Sequence, residues 1–419
     1  MDALIVGFDL CDSYTQMTVY NEETKDVDIV SFGEELDDIP TTICKSRRKD
    51  EWFIGEEACK MALIGTGIVV DKLLRSVKKG GVATLEGLTY SAEELMKIYL
   101  EKSLDSVKKK YGRDIKRVIF TVTDLDMTLM DVLMRCTGSL GIERDNITVL
   151  SHSESFLYYL LRQPAETFAN ISVCLDLSKE GMTYYECNIL RGLNPQIAQV
   201  SAQELEEGFS LDILGNPQGK KLADNILYTC VERQFGKKII TSVFLAGKGM
   251  ENIQDWGTRT LPKMCNRRKA YLDTALFAKG AAWMGVSEEY PEELSYPYCM
   301  IGRGRILAGI SMSMQVKGNQ KSIILLSAGE HWYGTKGSVE FLLDGADSLD
   351  LEVLPAGTKK PFVKKISLGE MPIRAKRTTR VHLDVEFISE TILKVRISDM
   401  GFGDIFPSSG CVIERELEL

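Results

Sequence analysis

Long apolar runs are missing from this sequence of 419 residues. No stretch approaches the roughly 18 apolar residues that a membrane-spanning helix needs. The first ten residues, MDALIVGFDL, also lack the basic region that opens a secretory signal peptide. We therefore expect no membrane span, and we expect the N-terminus to be a strand of the core.

Paired metal or disulfide motifs are missing as well. The ten cysteines occur singly from Cys11 to Cys411, without a C-x-x-C pair, which is typical of reduced, mostly buried thiols. The three histidines, His152, His331 and His382, lie too far apart in the sequence to suggest a metal cluster. This pattern predicts a cytoplasmic protein without a disulfide framework or a zinc site.

The sequence also lacks an excess of positive charge. Lys and Arg number 51 against 60 Asp and Glu, which gives a formal net charge of -9. A general nucleic-acid binder presents a basic face, so nucleic acid is not an expected partner. The length of the chain predicts two or three domains.

The sequence does contain a duplicated unit. IVGFDLCDSYTQMTVY begins at Ile5, and SVCLDLSKEGMTYYE begins at Ser172. Each copy has an apolar strand, an Asp-Leu pair that contains Asp9 or Asp176, a polar turn and a second strand. Helical patterns alternate with strand clusters around both copies, so we predict two related α/β lobes that face each other. Such turns can bind phosphate through backbone amides, and the paired carboxylates can hold a divalent cation or its waters.

A third candidate loop follows the buried strand TSVFLA. Gly247, Lys248 and Gly249 come directly after this strand, and glycine permits close approach of a ligand to the backbone. A plain turn from strand to helix is the alternative interpretation.

The last third of the sequence has a different character. SEEYPEELSYPYCMIGRGR contains Pro, Gly and charge without periodicity, which is typical of a linker. From Ile306 onward strand patterns follow one another without helical periodicity. The predicted parts are an α/β domain at 1–290, a linker at 291–304 and an all-β sandwich at 305–419.

In their order, these pieces resemble the DnaK-type (seventy-kilodalton heat-shock) chaperones of the actin-like ATPase superfamily. VGFDLCDSYTQMTV resembles the first phosphate loop of that family, VDKLLRS the segment of its catalytic lysine, CLDLSKEGMTYYE its second phosphate loop and VFLAGKGMENI its adenosine loop. The segment from KKISLGEMPIR to RISDMGFGD is similar to the end of its substrate-binding sandwich. The resemblance covers nearly the whole chain and implies an actin-like fold, with duplicated ribonuclease-H-like lobes around a nucleotide cleft, followed by the sandwich.

The resemblance also implies roles for individual residues. Asp9 and Asp176 would organise magnesium and the attacking water, and Lys72 would be the catalytic lysine. An acidic residue that the family has at the next helix start is less clear here: Glu154 is the nearest candidate, and His152 is closer in register. The residues implied to bind ATP or ADP are Asp12, Ser13, Tyr14, Gly181, Thr183, Gly247, Lys248 and Gly249.

Both phosphate loops depart from the family pattern. Cys11 and Asp12 replace glycine and threonine, so a side chain crowds an amide and a carboxylate enters the place of the polyphosphate. Two like charges about 4 Å apart repel by roughly 4 kcal/mol at an effective dielectric constant of about 20. The second loop keeps only Gly181 of its glycines and adds Glu180. These changes argue against efficient hydrolysis.

Other parts of the family pattern are reduced in this sequence. One helix, KKLADNILYTCVERQFG, stands where the family has a subdomain that clamps adenine and ribose. The helical lid and the interdomain linker of the family are not recognisable. In the sandwich, Phe341 and Leu343 are candidates to line a peptide site, with sandwich core as the alternative. KKPFVKK and IRAKRTTR form a basic surface that suits solvent or an acidic partner protein.

Three functions are compatible with this sequence. The favoured one is a divergent DnaK-like protein that binds nucleotide weakly or does not hydrolyse it, and that binds protein or peptide partners through the sandwich. A working ATP-dependent chaperone-like ATPase is the alternative, supported by Asp9, Lys72 and Asp176. A filament-forming or membrane-recruited cytoskeletal member of the superfamily is disfavoured, because the sandwich follows the chaperone pattern and the sequence shows no amphipathic terminal anchor. The cofactor is ATP or ADP with magnesium, or there is none.

Overall fold

The computed structural model describes residues 3–32, 37–372 and 374–419. The strands are β1 (Leu4–Leu10), β2 (Tyr14–Asn21), β3 (Asp26–Ile29), β4 (Ile39–Pro40), β5 (Ile43–Ser46), β6 (Trp52–Ile54), β7 (Gly67–Val70), β8 (Val82–Leu85), β9 (Leu88–Ser91), β10 (Ile115–Val122), β11 (Ile147–Ser151), β12 (Ile171–Ser178), β13 (Gly181–Leu190), β14 (Gln196–Leu205), β15 (Ile240–Ala246), β16 (Lys269–Leu272), β17 (Tyr298–Ile301), β18 (Ala308–Val316), β19 (Asn319–Leu326), β20 (Lys336–Leu343), β21 (Ser348–Pro355), β22 (Phe362–Ser367), β23 (Thr379–Phe387), β24 (Ile392–Asp399) and β25 (Val412–Glu418). The helices are α1 (Gly55–Leu63), α2 (Leu73–Lys78), α3 (Ala92–Tyr111), α4 (Met127–Ser139), α5 (His152–Leu161), α6 (Pro217–Phe235), α7 (Ile253–Trp256), α8 (Thr260–Cys265) and α9 (Leu276–Glu289).

The chain divides into two compact units. One comprises Met1–Asn188 with Val200–Tyr296, and the other comprises Ile189–Gln199 with Pro297–Leu419. Among the described residues, no helix is long and apolar enough to cross a membrane.

The first sheet of the α/β unit is built on the hairpin β1–β2. Its strand order is β11-β10-β1-β2-β3, with β10 parallel to β1 and β11 parallel to β10. β1 is buried along its whole length because helix α9 packs against it. Gly7 makes this approach possible, since a Cβ at that position would lie 2.1 Å from the carbonyl oxygen of Ala278 in α9.

The second sheet repeats this arrangement around the second copy of the duplicated unit. β12 and β13 form the hairpin, β15 is parallel to β12, and β16 is parallel to β15. The strand order β16-β15-β12-β13-β14 corresponds, strand for strand, to that of the first sheet. Helix α6 packs on this sheet through buried residues such as Leu227 and Val231. The mixed α/β character predicted for this region is confirmed, and β14 is a strand that the sequence analysis missed.

Two helices of the first unit, α3 and α5, begin with capping boxes. Ser91, predicted as the cap of α3, accepts a hydrogen bond from the amide of Glu94, and the Glu94 carboxylate accepts one from the amide of Ser91. Ser151 and Glu154 form the same reciprocal pair at the start of α5. Each box satisfies amides that a helix start leaves without partners.

The second unit contains two antiparallel sheets with one shared core. Their strand orders are β19-β18-β21-β22 and β20-β23-β24-β25. Alternate residues point inward, so that Leu351 from one sheet and Leu383 from the other join the same buried cluster. The predicted all-β C-terminal region is confirmed. The predicted linker 291–304 contains β17, which pairs in parallel with the first residues of β14.

Candidate functional site

A buried ion pair lies where β1 ends in the first sheet. Oδ1 of Asp9 is 2.8 Å from Nε2 of His152, the first residue of α5. Both side chains are only 1% exposed. The sheet brings them together, because β11 and β1 flank β10 in parallel and Asp9 lies opposite Thr121 in that register. The chain then passes from β11 directly into α5.

Cys11 extends the pair to a triangle formed by an oxygen, a nitrogen and a sulfur atom. Its Sγ lies 3.6 Å from Oδ1 of Asp9 and 3.9 Å from Nε2 of His152. The hydroxyl of Tyr14 donates to the other carboxylate oxygen of Asp9 at 3.3 Å. Both oxygens of Asp9 therefore have partners within the protein. Burial and the nearby Asp9 carboxylate raise the pKa of Cys11 well above the usual range of a thiol.

The ring of His152 is held in a fixed orientation. It stacks on Phe277 of α9, with ring centroids 4.0 Å apart and planes 6° from parallel. Burial lowers the pKa of His152, but the carboxylates of Asp9, Asp176 and Glu180 outweigh it, so the pKa is raised. Its Nδ1 atom has no hydrogen-bond partner among the described residues. The raised pKa favours the protonated ring, whose charge the Asp9 carboxylate balances at 2.8 Å.

Asp176 is the counterpart of Asp9 in the second sheet, and its surroundings are different. It is 3% exposed, and its Oδ1 atom has no partner within the described part of the chain. Its pKa is raised to about 7, chiefly by burial and also by the charges of Asp9 and Glu180, while His152 opposes the rise. Gly247 lies directly against this carboxylate, since a Cβ there would be 2.2 Å from Oδ1.

One side-chain bridge joins the two predicted phosphate loops, and a second joins the predicted adenosine loop to Asp38. The amide and the hydroxyl of Ser13 both donate to Oε1 of Glu180, each at 2.9 Å. Lys248, in the predicted adenosine loop, donates from Nζ to both oxygens of Asp38 at 2.9 Å. Ser13 and Lys248, which the resemblance assigns to nucleotide binding, thus form hydrogen bonds with acidic side chains of the protein itself.

The predicted catalytic lysine is near the first loop but apart from the buried cluster. Lys72 is exposed and has left-handed backbone angles with φ 53° immediately before α2. Oδ1 of Asp12 accepts a hydrogen bond from the amide of Arg75 at 3.0 Å, so Asp12 satisfies an amide in the first turn of α2. Among the described residues, no hydrogen bond or ion pair joins Lys72 to Asp9.

The remaining predicted residues belong to the second hairpin and the loop after β15. Gly181 begins β13 with φ 138°, and Thr183 lies opposite Asp176 in the hairpin. Gly249 is buried against Leu177, because a Cβ would lie 2.5 Å from the Cγ atom of that leucine. Thr183 and Gly247 therefore lie beside Asp176, whereas Gly249 packs against Leu177.

The donors around Asp9 do not fit a magnesium polyphosphate. Magnesium takes oxygen ligands in octahedral geometry and keeps several waters. Asp9 instead faces an imidazole nitrogen and a thiol, and its second oxygen accepts from Tyr14. Ser13, a predicted phosphate ligand, donates both of its groups to Glu180.

His152 is the site residue that sequence reasoning treated as ordinary. The wide spacing of the histidines in the sequence argued against a cluster of histidines. It said nothing about whether one histidine lies next to Asp9 and Cys11 in the fold. The available signal was its position directly after the strand ITVLS, at a helix start where the resembled family has an acidic residue. A cation at that position next to a buried carboxylate predicts an ion pair.

Two family models match the chain. Residues 25–303 match the model described as Family of unknown function (DUF5716) C-terminal, and the chain belongs to this family. Residues 305–419, the same residues as the predicted sandwich, match the Domain of unknown function (DUF8552). No curated protein matches the sequence. Asp9 and Cys11 precede the first match, and His152 and Asp176 lie within it.

Proposed function

We propose that this chain is a divergent DnaK-like protein with an actin-like first domain, acting as a protein- or peptide-binding module that does not hydrolyse ATP. The observation that carries the proposal is the buried pair of Asp9 and His152, which uses the carboxylate that the resemblance assigns to magnesium. The matching strand orders around Asp9 and Asp176 support the duplicated lobes. The single long helix α6 between β14 and β15 supports the loss of a base clamp.

The cost of admitting a triphosphate can be stated from these contacts. Separating one partner of a buried ion pair costs about 3–5 kcal/mol, which corresponds to about a hundredfold to several thousandfold in affinity. A phosphate at Ser13 would also have to displace Glu180 and approach the carboxylates of Asp12 and Asp176. Each of these steps weakens nucleotide binding, so we expect dissociation constants above the millimolar range.

A groove on the β unit supports the binding role. It has a volume of about 1000 Å³, and its apolar lining includes Met312, Met314, Phe341 and Leu343. Phe341 and Leu343 also pack in or against the sandwich core, so the two interpretations given by the sequence are compatible. Flexible methionines adapt to different apolar side chains. We propose that an extended peptide with apolar residues binds in this groove.

Thermal unfolding with nucleotide tests the first half of the proposal. A ligand that does not bind the native state cannot stabilise it, so millimolar ATP or ADP with magnesium should leave the melting temperature unchanged. A clear rise that Lys72→Ala abolishes would instead establish the alternative, an ATPase with an unconventional pocket.

Peptide binding by the full chain tests the second half. Fluorescence anisotropy with labelled extended apolar peptides should give saturable binding, and Phe341→Asp should weaken it at least about tenfold. Ile405→Asp is the matched control, because Ile405 is an apolar residue of the same unit, 84% exposed and outside the groove. Absence of binding, or equal loss in both variants, contradicts a binding role for this groove.

A further inference from the structure

The buried triangle of Asp9, Cys11 and His152 has the dimensions of a metal site. With zinc bonds of about 2.0 Å to nitrogen or oxygen and about 2.3 Å to sulfur, tetrahedral angles place nitrogen and oxygen about 3.3 Å apart and sulfur about 3.5 Å from either. The observed separations are 2.8 Å between Nε2 and Oδ1, 3.6 Å between Sγ and Oδ1, and 3.9 Å between Sγ and Nε2. Shifts of a few tenths of an ångström would bring all three atoms to one ion.

The chemistry of the three donors selects the kind of ion. One thiolate, one imidazole and one carboxylate suit zinc, whereas magnesium and calcium require oxygen ligands. The donors are also fixed in place before binding: Asp9 and Cys11 stand at the end of a central strand, and the ring of His152 is stacked on Phe277. Such fixed donors need little reorganisation when an ion binds.

A second, independent observation is the carboxylate of Asp176. It is 3% exposed, and its Oδ1 atom has no partner among the described residues. It lies close enough to act electrostatically on Cys11, Tyr14 and His152. A buried carboxylate oxygen without a partner is costly, and a divalent cation beside it would offset the charge of the group.

We propose that Asp9, Cys11 and His152 bind one zinc-class divalent ion, with Asp176 as the neighbouring carboxylate that balances its charge. Binding requires the thiolate of Cys11 and a neutral His152, so their protons leave to solvent as the ion enters. The ion would tie the end of β1 to the start of α5. This inference goes beyond the proposed function and does not need it, because it concerns a metal without nucleotide.

Cobalt(II) is the probe, because a cobalt–thiolate bond gives a charge-transfer absorption in the near ultraviolet. Full-length, metal-free protein is equilibrated with cobalt until the spectrum is constant, and zinc is then added. We expect the thiolate band to saturate at one cobalt per chain and to disappear when zinc replaces it. No thiolate band at saturating cobalt would overturn the proposal.

Matched variants decide which residues hold the ion. Cys11→Ser should abolish the band, whereas Cys44→Ser, at another fully buried cysteine, should keep it. His382→Asn controls for the surface histidine that lies beside Glu340 and Asp384, and this variant should also keep the band. A band that persists in Cys11→Ser refutes the assignment.

A second measurement keeps the test decisive if Cys11→Ser folds poorly. Asp9→Asn preserves the shape and the hydrogen-bonding capacity of the side chain but removes a charged ligand, so cobalt affinity should fall at least about tenfold. Zinc should raise the melting temperature of the wild type, and less so that of Asp9→Asn. Equal affinity in the two proteins contradicts the proposal.

Discussion

Asp9 and Asp176 end equivalent strands of two sheets with the same strand order, yet their surroundings differ. The two oxygens of Asp9 are engaged by His152 and Tyr14. Oδ1 of Asp176 has no partner in the described part of the chain, and burial raises the pKa of this residue to about 7. The duplicated backbone therefore determines where the carboxylates lie. Side chains from other elements determine which hydrogen-bond and ion-pair partners each carboxylate has.

Removing the side chain of His152, the partner of Asp9, should have the largest effect on stability. His152→Ala leaves the Asp9 carboxylate buried without its ion-pair partner, which costs about 3–5 kcal/mol in the free energy of unfolding. Urea unfolding measures this loss. His382→Ala, at a partly exposed histidine, is the control and should change stability by less than about 1 kcal/mol.

The double variant of this pair sharpens the test. Asp9→Asn with His152→Ala removes both charges, so its loss should be smaller than the sum of the two single losses. Additive losses would show that the two side chains do not stabilise each other.

Substitution of Asp176 should change stability in the opposite direction, and the size of the change should depend on pH. The pKa of Asp176 is 3.8 when unperturbed and about 7 in the folded state, so the folded state binds this proton more tightly. Its contribution to stability is complete below about pH 3.8 and is lost as pH rises through about 7. Asp176→Asn should therefore stabilise the protein at pH 8, by up to about 4 kcal/mol, and much less at pH 5.

Unfolding free energies at the two pH values check this prediction. Asp9→Asn is the matched comparison, because it removes a carboxylate that is already paired and should destabilise the protein at pH 8. If both variants changed the unfolding free energy at pH 8 in the same direction, the proposed difference between Asp9 and Asp176 would be wrong.

Filling the space at Gly247, next to Asp176, should have a smaller effect on stability. Gly247 has φ 79°, and a Cβ there would meet Oδ1 of Asp176 at 2.2 Å. We expect Gly247→Ala to cost about 2–4 kcal/mol, from backbone strain and the close contact together. Gly334 has φ 78° and open space around it, so Gly334→Ala measures the backbone strain alone, about 1 kcal/mol. Equal losses would show that the close contacts of this Cβ with Asp176 and with the carbonyl oxygen of Leu177, 2.5 Å away, do not matter.

The bridge between the two loops should contribute least. Ser13→Ala removes one of two hydrogen bonds to Glu180 at an exposed position. The expected loss in unfolding free energy is about 0.5–1 kcal/mol. A loss above about 2 kcal/mol would show that this bridge contributes more to the first unit than an exposed hydrogen bond can.

The sequence predicted the features that depend on local patterns. The repeated strand–turn–strand unit, the Ser91 cap and the succession of C-terminal strands follow from periodicity and short-range hydrogen bonds. The pair of Asp9 and His152 joins residues 143 positions apart. Its formation depends on the parallel order of β1, β10 and β11, which no local pattern specifies. β14 was missed because two adjacent buried residues, Ile197 and Ala198, and two adjacent exposed ones, Gln203 and Glu204, break its alternation.

Glu180 has a consequence for what reaches the buried cluster. It is exposed at the turn between β12 and β13, and it accepts both the amide and the hydroxyl hydrogen bonds that Ser13 has to offer. An incoming solute therefore meets a carboxylate where a phosphate-binding turn would present free amides. The negative charge of this turn disfavours anions and favours cations near it.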